Sequence, residues 1–411
     1  MAAVQIALII GFAGDQYADA GEYVYFATSS INKGRFFYPY VDELYTWYLH
    51  APGYINYLIL LLGITGNILS VYVLNAFFIH VILFSCKYIV RRFSSDDIAD
   101  IFQIVFCIYY MIGMNAGIVH ANTELVFGAL LFASMALALR GNEGLMILSG
   151  VLLGLSNWIR PIVFVFIPFV IWVVIRQREA WKKRLITIIV SFLATITIIG
   201  FVSYAHCERF IFQSTITGIN LLIGNNPRAD GNNTYEALTE GGIGYVGDLD
   251  TSEWTVDEYQ NLWRDKAINW MIHNPGRVIS LIPSKFLYQW AVDTYWCSAY
   301  GNNELVTDTS DYYMTIWHKV TTDDGGSITL MDVTTVVHEC VYFIILIGFV
   351  ISVLLQVKYK KVLEYWGLYG VLLLGIGMNT IMAGCGRFHF AYLPVMIMII
   401  SFAFGGRICR Q

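Results

Sequence analysis

Residues 53 to 86 are 34 consecutive positions without Asp, Glu, Lys or Arg. As one helix this run would be ~50 Å long, against a hydrocarbon core of ~30 Å, so it cannot be a single membrane crossing. Gly63 to Gly66 supplies a break, leaving an interfacial piece over 53–62 and a crossing over about 66–90 that ends in Lys87, Arg91 and Arg92. Those cations mark the cytoplasmic side. The rest of the chain is of the same kind. Of 411 residues, 57% are apolar and 13% charged, and the mean hydropathy is +0.59, which excludes an ordinary soluble protein and points to many membrane passes. A net charge of −5 with no basic block argues against a nucleic-acid partner. The seven cysteines show no CxxC and no zinc-like spacing, so they read as small apolar filler.

The other segments follow in order. The first apolar run, AAVQIALIIGF, is too short to cross, has no basic n-region and no cleavage site, and implies a first transmembrane helix whose start lies further upstream. Residues 98–118 return outward, HANT (120–123) makes an outer turn, and 124–139 go back to Arg140. The stretch 145–175 is interrupted by Arg160-Pro161. One span would put RQREAWKKR (176–184) outside, whereas two short helices meeting at Arg160-Pro161, with Pro161 in the first turn of the second, keep it inside. The hairpin is the expectation. Residues 185–205 cross outward and 206–337 form a loop domain. Spans over about 338–357, 365–385 and 390–406 then turn at Lys358/Lys360/Lys361 inside and Arg387 outside, ending with Arg407 and Arg410. The expected architecture is an all-α polytopic bundle of about ten transmembrane helices with both termini cytoplasmic. Its parts are an N-terminal module (1–205) with an outer loop over 14–54, an extracytoplasmic domain (206–337), and C-terminal helices (338–411). Within the loop domain, Thr255-Val256-Asp257-Glu258 reads as a capping box. Pro275 opens a helix striped by Val278, Ile279, Ile282, Phe286 and Trp290, as for a cap lying on the membrane surface, while 224–247 is a long Gly/Asn-rich loop.

Charged residues at the outer mouth are the candidates for chemistry. If 15–30 is helical, Asp15, Asp19, Glu22/Tyr23 and Phe26 share one face. A carboxylate near a helix N-terminus stays ionised and can accept a proton from a hydroxyl; the bland alternative is a solvated interfacial acid. Glu124, opening the fourth span, is either a second acid at that level or a residue offsetting the helix dipole. Arg160 and Arg387 sit at outer turns between apolar spans, where an arginine snorkels, pairs with an acid or binds an anion; two converging would suit a phosphate. Lys285 could join them or be solvated. His120, His338 and His389 lack ligand spacing and read as core or interface histidines. Asp323-Asp324-Gly325-Gly326 reads as a turn rather than a calcium loop.

Asp19, Tyr23, Ala27, Gly34 and Pro52-Gly53-Tyr54 follow, in order, the first-loop pattern of a known group. They resemble the GT-C glycosyltransferases that use polyprenyl-phosphate sugars, the group of protein O-mannosyltransferases and lipid A aminoarabinose transferases (family 39-like). Thr123-Glu124, GVLLGLSNWIRPIV, GINLLIGNNP and GRFHFAYLPV look like later signatures of related bacterial enzymes. Ala20 stands where the group usually has Glu, which leaves Asp15 or Asp42-Glu43 as rival bases, and His50 stands where a basic residue is expected before Pro-Gly-Tyr.

The resemblance implies a membrane-embedded hexosyltransferase of the cell envelope, in a bacterial plasma membrane with its active site extracytoplasmic. It would move one sugar, with inversion, from a polyprenyl-phosphate donor to a hydroxyl on a lipid, glycan or protein acceptor. Asp19 would be the general base and Glu124 an acceptor-positioning or arginine-orienting acid. Arg160 and Arg387, with Lys285 and His50, would hold the donor phosphate, and Asp15, Tyr23 and Tyr54 would contact substrate. Neither metal nor cofactor is implied. A flippase or transporter of lipid-linked saccharides is the rival class. It is disfavoured by polar residues clustered at the outer mouth and by the lack of repeated halves. A polysaccharide polymerase stays open as a third reading.

Overall fold

The structure is a computed structural model that describes residues 1–12, 14, 16, 18–178, 180–300 and 327–408. Among the described residues it is all-helical; extended pairing is limited to two isolated bridges, Leu49 with Thr215 and Asn232 with Gly384. Among the described residues five helices are long and apolar enough to cross a membrane: α4 (Leu69–Phe93), α9 (Trp181–Cys207), α13 (Leu330–Lys358), the stretch Val362–Ile381 containing α14 (Trp366–Ile381), and the stretch Gly386–Phe404 leading through α15 (Leu393–Ile408). Shorter apolar helices accompany them: α1 (Ala2–Phe12), α3 (Pro52–Thr65), α6 (Thr123–Ala138), α7 (Glu143–Ile159) and the stretch Val163–Ile175 containing α8 (Ile167–Ile175).

Chain breaks follow local chemistry. Helix α3 stops at Thr65 because Gly66 adopts the left-handed conformation (φ 63°) and closes the end with a bond to the Leu62 carbonyl. Helix α7 stops at Ile159. Pro161 disfavours helical backbone in the residue before it, and Arg160 is accordingly extended (φ −142°, ψ 122°). Pro161 itself lies in a turn, and the second arm begins as a 3₁₀ turn, Val163–Phe166, rather than at the proline. The expected span 98–118 is also not one α-helix. Helix α5 (Asp96–Tyr109) passes into a π turn at Tyr110–Met114 and a 3₁₀ turn at Gly117–Val119. Gly113 lies against the ring of His338, where a Cβ would come within 2.5 Å.

Turns at one end of the bundle are tied together. Lys183 pairs with Glu143, Arg176 pairs with Glu364 at 3.4 Å, and Gln177 donates to the Ala138 carbonyl at 2.8 Å. The basic run 176–184 therefore sits with Arg140 and Lys361, as a hairpin at Arg160-Pro161 requires. Helices α7 and α9 approach closely through small residues; a Cβ on Gly150 would meet the Ile188 carbonyl at 2.5 Å. At the opposite end, α2 (Ala18–Asn32) packs on α3, and Gly53 sits against the Trp158 backbone of α7. Helix α2 begins at Ala18 and carries Asp19 in its first turn, while Asp15 and the 323–326 turn lie outside the described residues.

Beyond α9, helices α10 (Thr217–Gly224) and α11 (Val256–His273) build a second, smaller core from Ile219, Leu222, Ala237, Tyr259 and Trp263. The Thr255 N–H and hydroxyl both donate to the Glu258 carboxylate, at 2.7 and 2.9 Å, at the start of α11. In α12 (Pro275–Trp290) the expected stripe divides: Ile279, Ile282 and Phe286 are exposed and Val278 is half-buried, while Trp290 is buried along with Leu281, Lys285 and Gln289.

Candidate active site

Four charged side chains meet at the end of the bundle carrying α2. Asp19 is in the first turn of α2, Glu124 in the first turn of α6, Arg160 caps α7, and Arg387 lies in the 3₁₀ segment Gly386–Tyr392 that precedes α15. Arg160 Nη1 pairs with Glu124 Oε1, which is also 3.2 Å from Arg387 Nε; Arg387 Nη2 in turn pairs with Asp19 Oδ2. The result is a ladder of alternating charge, Arg160–Glu124–Arg387–Asp19, whose formal charges cancel. Glu124 is almost wholly enclosed, with 2% of its side chain exposed against 26% for Asp19. Burial opposes ionisation of Asp19, but Arg387, supported by His50 and Arg160, outweighs it and holds the carboxyl at about 2.

Around the ladder, His50 Nε2 lies 2.8 Å from Glu22 Oε2, and the Tyr48 hydroxyl donates to the same oxygen at 3.1 Å. Tyr23 packs edge-on against both His50 and Tyr54, with ring centres 5.3 and 5.2 Å apart. The Tyr54 hydroxyl is buried with no hydrogen-bond partner among the described residues. His50 is thus held by Glu22 beside Asp19 rather than standing open. Asp42 and Glu43 are elsewhere, tied to Arg35 at 2.6 and 3.0 Å and to Lys33.

Lys285 is neither solvated nor part of the ladder. Its ammonium is buried and donates to Asn225 Oδ1 at 3.0 Å and to the carbonyls of Thr380 and Ile381 at 3.1 and 3.4 Å. Burial lowers its pKa to about 8. It ties α12 to the end of α14. Lys285→Met should strand those acceptors and lower unfolding stability by about 1–3 kcal/mol, read by denaturant unfolding in detergent. A variant as stable as wild type would refute this bracing role.

Two side chains that the sequence did not single out complete the picture. The Tyr295 hydroxyl accepts from Arg387 Nη1 at 3.0 Å, and its ring lies 5.2 Å beneath the guanidinium. Two residues earlier, Asp293 is buried between His338 Nε2 at 3.0 Å and His389 Nε2 at 3.2 Å, and it accepts from the Tyr109 hydroxyl. The Gly113 N–H donates to His338 Nδ1 at 3.2 Å, so the ring's hydrogen is on Nε2, facing Asp293. Burial opposes ionisation of Asp293, but His389 and His338 more than compensate and its pKa is lowered. The pairs Tyr295–Arg387 and Asp293–His389 form a two-point clasp between the segment after α12 and the segment before α15. The three histidines read as core residues are indeed buried: His120 at 1%, His338 and His389 at 0% exposure.

A cavity of about 460 Å³ opens elsewhere, between the end of α9 and α11, lined by Arg209, Asp257, Gln260 and Asn261 among others and not by the ladder.

No family model matches the chain, and no curated protein matches it. Among solved structures, ArnT from Cupriavidus metallidurans bound to undecaprenyl phosphate is similar over 99% of this chain and 77% of that chain, at 10% sequence identity and a TM-score of 0.40.

Proposed function

We propose that this chain is a multi-pass membrane glycosyltransferase of the GT-C kind. It would move a sugar from a polyprenyl-phosphate donor to a hydroxyl acceptor at the extracytoplasmic face. The observation that carries this reading is the Arg160–Glu124–Arg387–Asp19 ladder, which gathers two phosphate-binding cations and an ionised acid from four separate segments. The resemblance in the opening loop supports the same reading, and so do helices long and apolar enough to span a membrane.

In this reading the acceptor hydroxyl gives its proton to Asp19 as its oxygen attacks the anomeric carbon from the face opposite the phosphate. The bond to the phosphate oxygen breaks with inversion, and its electron pair leaves with the lipid phosphate. Arg387 and Arg160 hold the charge that develops there. Glu124 fixes the two arginines at a set spacing. Tyr23 and Tyr54 border the acceptor side, and the region after α9 closes over the ladder and excludes water. Ten crossings with both termini cytoplasmic would place the ladder outside.

The test is consumption of radiolabelled polyprenyl-phosphate sugars by purified protein, one donor at a time, with inverted product identified by NMR. Turnover of one donor is the expected result. No turnover across the panel, together with movement of lipid-linked saccharide between leaflets, would replace an enzyme with a transporter.

A further inference from the structure

We propose that the donor enters by displacing Asp19 from Arg387, so that the base is released only when the donor is seated and the donor binds before the acceptor. This rests on the lipid-phosphate reading above and adds an order of events to it.

The charge count comes first. Two arginines and two carboxylates cancel, so a phosphodiester added to the intact ladder would leave a part-buried site with an unbalanced negative charge, which is costly. One carboxylate must withdraw. Glu124 is poorly suited: it is 2% exposed and lies against both arginines through one oxygen. Asp19 is 26% exposed, and its hydrogen bond is to Arg387.

The geometry of Arg387 agrees. Its Nε faces Glu124, Nη1 faces the Tyr295 hydroxyl and Nη2 faces Asp19. Exchanging the Asp19 oxygen for a phosphate oxygen keeps Nη2 hydrogen-bonded and leaves the Tyr295 hydroxyl on Nη1, with Nε still beside the Glu124 carboxylate.

The exchange also has a chemical consequence. While paired, Asp19 holds a proton only near pH 2 and is a feeble base. Once the phosphate takes up the charge of Arg387, the carboxylate recovers proton affinity toward its ordinary range, and its freed oxygen can accept the acceptor hydroxyl. After transfer, Asp19 returns the proton to water and re-pairs as the lipid phosphate leaves.

The experiment measures binding of undecaprenyl phosphate to protein in nanodiscs. Asp19→Asn and Asp19→Ala should bind about tenfold or more tighter than wild type, because a competing anion is gone, while Arg387→Ala binds at least about tenfold more weakly. Unchanged or weaker binding by the Asp19 variants, with Arg387→Ala still impaired, overturns displacement and leaves the lipid-phosphate site standing. Equal binding by wild type and Arg387→Ala, or none by either, removes the site and this inference with it. A second measurement needs only wild type: carbodiimide labelling of Asp19, followed by mass spectrometry, should rise when undecaprenyl phosphate is added. A fall would mean that the lipid shields Asp19 instead of freeing it.

Discussion

Asp19→Asn should transfer sugar at least about 100-fold more slowly than wild type while remaining folded and donor-bound, the scale expected for loss of a positioned general base. The amide keeps the size of the carboxylate and can still accept a hydrogen bond from Arg387, so the ladder loses a charge rather than a shape. The two parameters should move together: kcat falls, and KM for the donor falls as well, because the anion that competed with the phosphate is gone. That pattern distinguishes a base that also guards the phosphate seat from one that only positions substrate, for which KM would rise. Turnover within a few-fold of wild type would transfer the base role to Asp15 or Asp42.

A second large effect is expected at Asp293. Asp293→Ala removes the acceptor shared by His338 and Tyr109, and the carboxylate 3.2 Å from His389 Nε2, in a buried site and should destabilise the protein by about 3–5 kcal/mol. Denaturant unfolding in detergent would measure it. Asp293→Asn, which retains one carbonyl oxygen, should cost clearly less. Equal stability of Asp293→Ala and wild type would show that the clasp carries no net energy. Because Tyr295 lies two residues from Asp293 and Arg387 two from His389, loosening one pair should also disturb the other.

The breaks in the bundle were legible because they depend on neighbours in sequence: glycine at 66 and proline at 161 act on the backbone they belong to. The location of Asp19, Glu124, Arg160 and Arg387 at helix ends was legible for the same reason, since charge in an apolar chain collects where helices stop. Their mutual pairing was not, because it depends on which ends face each other. Asp293 carried no local signal; an acid in a long loop looks solvated until helices from distant segments close around it. The burial of Lys285 was hidden for a related reason, because the carbonyls at the end of α14 that hold it come from a distant segment. The π turn at Tyr110–Met114 was likewise hidden, because it accommodates a ring supplied by His338 from another helix.

The pairing of Asp19 with Arg387 spans 368 residues of chain. During synthesis, Asp19, Glu124 and Arg160 are all made long before Arg387. Until the segment around residues 387–389 follows, Asp19 has no Arg387 and Asp293 has no His389. A chain halted in translation before that point would hold three of the four ladder groups. Assembly of the ladder therefore waits until synthesis has passed residue 387, and every shorter chain carries its other three groups without the arginine that joins Asp19 to Glu124.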